Sequence, residues 1–281
     1  MPTRGNTGLL SLPTRPGPDV RPVRHWKNTS APEAAALVRS GTTVAVGWLG
    51  DRLAAALADA FADRAEPNGL TIVYAATQGE GRTHGLNLLA HEGLVRRVVG
   101  GQWHPVPRLQ ALAAANRIEA YSLPAGVIRR LFRDIAEGLP GHLSRSGLGT
   151  SADPRQGGGR LNRRTQEQLV RLVYPAGDEA LLFRGFAIDA ALIGVAFMEG
   201  TAAIAMTRES MTIARAARKS GGIVIAQMDR VGTLDKLPPG QVVVPDTLVD
   251  VLIEGDPRDR RPETFSPTTV PPVAGQQPPA H

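Results

Sequence analysis

Three stretches of this chain combine glycine with polar side chains in ways that could bind an anion. The first is residues 40–51 (SGTTVAVGWLGD), an apolar run broken by Gly47 ahead of an alanine-rich segment. A strand passing through glycine into a helix can present backbone N–H groups to an anion at the helix N-terminus. The full Gly-x-Gly-x-x-Gly spacing is missing, so a dinucleotide reading has little support, and a plain strand-to-helix turn would look the same. The second is residues 75–81 (AATQGEG), at the end of an expected strand, where open α/β sheets bind ligands. Gln78 and Gly79 are its candidate contacts, with an ordinary loop as the alternative. The third is residues 147–162 (GLGTSADPRQGGGRLN), with the triplet Gly157, Gly158 and Gly159. Its residues can meet a phosphate or carboxylate through backbone or side chain, and a passive linker would be simpler in composition.

Other chemistries find less. There are no cysteines, which excludes disulfides, thiolate catalysis and thiolate metal sites. The six histidines show no ligand spacing: His84 and His91 lie two helical turns apart with no obvious third ligand. No Gly-x-Ser-x-Gly elbow is present. Glu92, Asp134 and Glu137 read as solvated helix faces.

The elements that must hold these stretches alternate. Residues 43–48, 70–75, 95–99 and 118–122 read as strands. Residues 52–64, 86–93, 106–116 and 127–137 read as helices, the last with Ile128, Leu131, Phe132 and Ile135 at helical spacing. Such an order predicts an α/β fold with a mostly parallel central sheet flanked by helices on both faces. In the second half, residues 168–174 and 180–183 flank Gly177-Asp178 and predict a hairpin. Further strands are expected at 189–195, 223–227, 241–244 and 248–253. A helix over 208–220 ends at Gly221-Gly222.

The expected domain spans 25–255, between a basic proline-rich arm (1–24) and a proline-rich tail (256–281) too polar to pack. An internal stretch, 138–164, also reads as loop. The net charge is +6, of which residues 1–30 carry +4, so the positive charge sits in the arm. With aromatic residues at 4%, nucleic acid is not an expected partner. No apolar run is long enough to span a bilayer and no secretory signal is evident, so a cytoplasmic protein without membrane contact is expected.

Several segments taken together resemble the N-terminal, α-type domain of the family I CoA transferases that act on acetate, propionate and 3-keto acids. They are residues 85–103 (GLNLLAHEGLVRRVVGGQW), 118–124 with 127–135, the loop 147–162, 186–193 (FAIDAALI) and 220–227 (SGGIVIAQ). The resemblance covers roughly 30–265. It implies the fold of the CoA-transferase superfamily and a ping-pong reaction. A glutamate carboxylate attacks an acyl-CoA thioester, giving an acyl-glutamyl anhydride and CoA thiolate. The thiolate returns to form a glutamyl-CoA thioester, and an acceptor carboxylate reverses the steps. No metal or redox cofactor is implied, coenzyme A being a substrate. Gly47, Gln78, Gly79, Gly157, Gly158 and Gly159 are then the expected CoA or substrate contacts.

In that family the nucleophilic glutamate lies in a C-terminal, β-type domain. No segment resembling it follows residues 256–265, so the expectation is a β-type partner chain that supplies it. Glu199-Gly200 is similar to the family's catalytic pair, but its flanks continue the α-type pattern and Glu199 reads as non-catalytic. The family's Gly-Gly-Phe turn is Gly47-Trp48-Leu49 here. The family's acidic Ala-Asp-x-x-Gly-Asn stretch after Ile193 is replaced by residues 194–201. The family's glutamine after Leu123-Pro124 is Ala125, which has no side-chain hydrogen bond to give. These departures keep open two alternatives: a non-catalytic homologue that binds acyl-CoA or a partner, and the α subunit of an acyl-CoA hydrolase.

Overall fold

Runs of valine, isoleucine, leucine and alanine form strands here because helices cover both faces of one sheet, so apolar residues run on continuously along each strand. The computed structural model describes residues 27–76, 82–198, 203–232 and 240–253. The elements are β1 (Lys27–Thr29), α1 (Ala31–Ala35), β2 (Thr43–Val46), α2 (Asp51–Arg64), β3 (Leu70–Tyr74), β4 (Val95–Gly100), α3 (Pro107–Ala114), β5 (Glu119–Ser122), α4 (Ala125–Ala136), β6 (Gly141–Ser144), β7 (Val170–Val173), β8 (Ala180–Arg184), β9 (Ala190–Met198), β10 (Ala203–Thr207), α5 (Arg208–Lys219), β11 (Ile223–Gly232), β12 (Gln241–Pro245) and β13 (Val251–Ile253). Short 3₁₀ turns lie at Gly85–Leu89, Pro154–Gln156, Pro175–Gly177 and Asp246–Leu248. Among the described residues no helix is long and apolar enough to cross a membrane.

The main sheet follows the order β1-β13-β11-β9-β2-β3-β4-β5, and every pair along that path is parallel. The pairing of β2 with β9 ends at Val46↔Leu192, but β9 and β11 run on. Beyond that point β10 pairs antiparallel with β9 and with β12, raising a wall past the carboxyl end of β2. A second, antiparallel sheet has the order β6-β8-β7.

Alternate residues of the strands feed two cores. Ala45, Val73, Val99, Tyr121, Ala191 and Val224 point to one face, where Ile128, Leu131 and Phe132 of α4 and Ile213 and Ala217 of α5 cover them. Val44, Val46, Ile72, Tyr74, Val98 and Leu192 point to the other, under Leu53 and Leu57 of α2 and Leu109 of α3.

Expectation and structure differ in places. The helix expected at 86–93 is a single 3₁₀ turn. Asn87 is buried there, with Nδ2 donating to the Pro105 carbonyl (3.0 Å) and Oδ1 accepting from Arg108 N (3.2 Å), so the chain is tied across to α3 rather than along its own axis. The hairpin expected around Gly177-Asp178 forms as β7 and β8, with Val170 opposite Phe183, and β6 adds a third strand. Asp134 is not solvated. It is buried, and its Oδ2 lies 2.6 Å from His142 Nδ1, because α4 turns that position toward β6. The arm 1–24 and the tail 256–281 lie outside the described residues.

Candidate functional site

From β2 the chain builds the sheet outward through β3, β4 and β5, and the opposite side is laid down by β9, β11 and β13. Its winding therefore reverses between β2 and β9. In open α/β sheets ligands bind beyond the carboxyl ends of the strands at such a point. The turn 47–50 leaves β2 there, and three close approaches fix it. A Cβ on Gly47 would stand 3.0 Å from Ser210 Oγ and 3.2 Å from Ser210 Cα, so the first turn of α5 lies against it. The Trp48 ring lies over Gly194 of β9, with Cε3 2.4 Å from where a Cβ would be. The Gln227 amide of β11 lies against Gly50, with Nε2 2.1 Å from the corresponding point.

Two helices thus start at one turn. Thr207 caps α5, its Oγ1 accepting from Ser210 N at 3.0 Å. The N-cap of α2 is Gly50, which has no side chain to offer. Helix N-termini carry partial positive charge and unpaired N–H groups. Two of them beside one turn suit a carboxylate, or the oxyanion that develops when a thioester carbonyl is attacked.

Asp51, the first residue of α2, holds the neighbouring loop. Its Oδ1 accepts from Gly85 N at 2.7 Å and its Oδ2 pairs with His84 Nδ1. At the ends of β4 and β5, a Cβ on Gly101 would stand 2.0 Å from the Ala75 carbonyl oxygen and 2.9 Å from Ala125 Cβ. Ala125 is the first residue of α4 and presents its methyl group to Gly101.

The glycine-rich loop lies at the other end of this row of strands. Gly157, Gly158 and Gly159 have φ of 119°, 65° and 77°, the left-handed region. Their amides donate within the loop, to Pro154 O (3.4 Å), Asp153 O (2.9 Å) and Ser151 O (2.7 Å). Contact with a ligand from this triplet would therefore fall to other atoms. The Gly159 carbonyl accepts from Ser122 N (2.8 Å), Leu161 N donates to the Ala120 carbonyl (2.9 Å), and Arg160 bridges antiparallel to Tyr121. The stretch 138–164, expected as loop, supplies β6 and then closes the free edge of β5. Beneath it Tyr121 is buried, its hydroxyl donates to the Glu167 carbonyl at 2.8 Å, and burial pushes its pKa up to about 12. Asp153 is buried too and anchors the loop. Its carboxylate takes the Arg155 guanidinium (2.8 and 3.0 Å), Gly149 N (2.9 Å) and Arg155 N (3.0 Å).

Of the residues singled out in the sequence, Gly47 stands at the reversal point. The triplet at 157–159 stands outside β5, four strand spacings from β2 and so roughly 19 Å away at ordinary strand spacing. Gln78, Gly79 and Glu199 lie outside the described residues. Sequence reasoning missed Ser210, Gly194 and Gln227. A signal existed for the last: Gln227 is the polar residue at the end of the apolar run IVIAQ.

Comparison with known proteins gives a consistent result. The model of the coenzyme A transferase family matches residues 28–255. Caffeate CoA-transferase of Acetobacterium woodii is 34% identical over 237 residues, which take in 81% of this chain and 45% of that protein. Acetate CoA-transferase YdiF of Escherichia coli K12 is 36% identical over 206 residues, 72% of this chain and 39% of that one. The chain thus spans less than half the length of these curated relatives. The acyl-CoA transferase YdiF apoenzyme from E. coli O157:H7 superposes with a TM-score of 0.74 at 32% identity, over 84% of this chain and 48% of the other. Glutaconate coenzyme A-transferase from Acidaminococcus fermentans shares the fold, with a TM-score of 0.56 at 17% identity, over 82% of this chain and 75% of that one. By sequence over most of its length and by fold, this chain belongs to the coenzyme A transferase family.

Proposed function

We propose that the chain is the α-type half of a CoA transferase, moving CoA between a short-chain acyl-CoA and a carboxylic acid. One observation carries this reading: two helix N-termini meet at the turn 47–50, at the sheet's reversal point. Such a site favours the charge shared by both substrates' reacting ends, a carboxylate and a thioester carbonyl on its way to an oxyanion. A related YdiF, 33% identical, has been solved as a thioester complex with CoA. In the proposed reaction a glutamate carboxylate from a β-type partner chain attacks the thioester carbon and expels CoA thiolate. The thiolate then attacks the resulting anhydride at the glutamyl carbon and releases the first acid. The acceptor acid enters by the reverse steps. No cofactor takes part, and the site of action is the cytoplasm.

Ala125 favours a second reading. A methyl group where the family has an amide removes a donor for the acyl oxygen, which suits an acyl-CoA-binding homologue or the α subunit of a hydrolase better than a transferase. One experiment separates the readings: the tagged chain is purified from its host and its companions are identified. A β-type chain in equal amount, with CoA exchange by the pair and not by either chain alone, is the expected result. Release of free CoA without exchange would make the pair a hydrolase. A chain that elutes alone and binds acyl-CoA without turnover would overturn the transferase reading.

A further inference from the structure

The helix at the reversal point is capped in an unusual way. α2 has 14 residues, and its N-cap Gly50 adopts the extended backbone that an N-cap needs (φ −74°, ψ 150°) yet brings no side chain. By contrast Ser30 caps α1 and Thr207 caps α5 with their own hydroxyls. The space an N-cap side chain at 50 would take is already filled. Nε2, Cδ and Oε1 of Gln227 lie 2.1, 2.3 and 2.4 Å from the point where a Cβ on Gly50 would stand. Gln227 Oε1 accepts from Leu53 N, in a long bond of 3.4 Å. Leu53 is the third residue of the helix, the donor that a serine or aspartate N-cap takes. Gln227 is 1% exposed, and its Nε2 has no hydrogen-bond partner among the described residues. Packing alone does not favour a buried amide with an unpaired donor over a leucine or methionine. What those side chains lack is the acceptor.

We propose that Gln227 is the N-cap of α2, supplied from across the sheet, and that it thereby positions the turn 47–50 for the substrate. It is a positioning residue, and this role rests on the transferase reading above. β11 carries Gln227 beside Gly194, the residue on which Trp48 lies. One strand pair therefore holds both ends of the turn.

A paired substitution tests this. Gln227→Ala removes the cap, and Gly50→Ser alone drives a new side chain into the amide. Together they are compatible, because the introduced serine side chain gains the vacated space and its own hydroxyl reaches the Leu53 amide. The readouts are hydrogen exchange of Leu53 N–H in the chain itself, and kcat and KM for the chain joined to its β-type partner. Each single variant is expected to speed Leu53 exchange roughly tenfold and to lower kcat/KM by about as much. The double variant is expected to recover both to within about threefold, the non-additive result that a shared cap requires. Gln227→Glu, which keeps an acceptor, is expected to leave Leu53 protected. Losses that simply add in the double variant, or a Leu53 amide that ignores Gln227→Ala, would overturn the cap. Recovery of Leu53 protection with kcat/KM equal in all four proteins would overturn the positioning role. A wild-type pair with no CoA exchange would sink the transferase reading instead, while exchange at Leu53 would still decide whether the cap exists.

Discussion

Gly158 and Gly159 sit side by side with similar left-handed backbones, but their surroundings differ. A Cβ on Gly158 would find its nearest neighbour, Pro154 Cα, at 3.7 Å, so Gly158→Ala should cost about 1 kcal/mol of backbone strain alone. A Cβ on Gly159 would stand 2.6 Å from Leu123 Cδ2 and 2.8 Å from the Ser122 carbonyl oxygen. Gly159→Ala should therefore cost roughly 3 kcal/mol, strain and overlap together. Urea unfolding of the two variants measures the difference. Asp153 makes a prediction in pH. The Arg155 guanidinium, then the N–H groups of Gly149 and Arg155, hold its carboxyl below the ordinary carboxylate range. A depressed carboxyl stabilises the fold above its unfolded pKa of about 3.9, and that stability drains away as pH falls below about 4. Tm should thus fall more steeply below pH 4 in the wild type than in Asp153→Asn, as a series of thermal melts would show. At this scale the sequence was partly legible. Gly47 could be marked because glycine between a strand and a helix is a local signal. The Gln227 contact could not, since its partner Leu53 lies 174 residues away and nothing local to either residue encodes the meeting.

Elements were legible where burial follows a period. Ile128, Leu131, Phe132 and Ile135 announced α4, and these side chains do form its buried face. Phe132→Ala should cost about 3–5 kcal/mol, the usual range for a fully buried phenylalanine. By comparison Arg129 and Glu209, which join α4 to α5 at 2.8 Å on a half-exposed surface, should contribute under about 1 kcal/mol, so Glu209→Gln should barely move the denaturation midpoint. Where the deciding contact is distant the signal disappears. β1 is three residues, Lys-Asn-Thr, with no apolar pattern, and it is a strand only because β13 pairs with it. β6 (Gly-His-Leu-Ser) was hidden in a glycine-rich stretch for the same reason, its pairing with β8 being the whole of its identity. Residues 86–93 misled in the other direction: leucines at helical spacing are equally served by one 3₁₀ turn whose Asn87 ties it to the chain before α3.

Across the whole molecule the alternating pattern was enough to give a parallel sheet between helices, because such a sheet is the way to bury both faces of successive apolar strands. The order of its strands was not readable, since any strand of this composition can lie beside any other. That order places the first described strand beside the last: Lys27 opposite Val251, Thr29 opposite Ile253. During synthesis, then, β1 leaves the ribosome well before its partner and waits while the strands between them are made. β11 likewise offers an open edge until the residues of β13 arrive. Pairings so far apart in sequence form late and leave strand edges exposed to other chains meanwhile. A nascent chain stalled before Val251 should be cut readily by protease near β1, whereas one that has released Ile253 should resist. The arrival of β13 would decide whether the nascent chain closes its own sheet or enters the care of a chaperone.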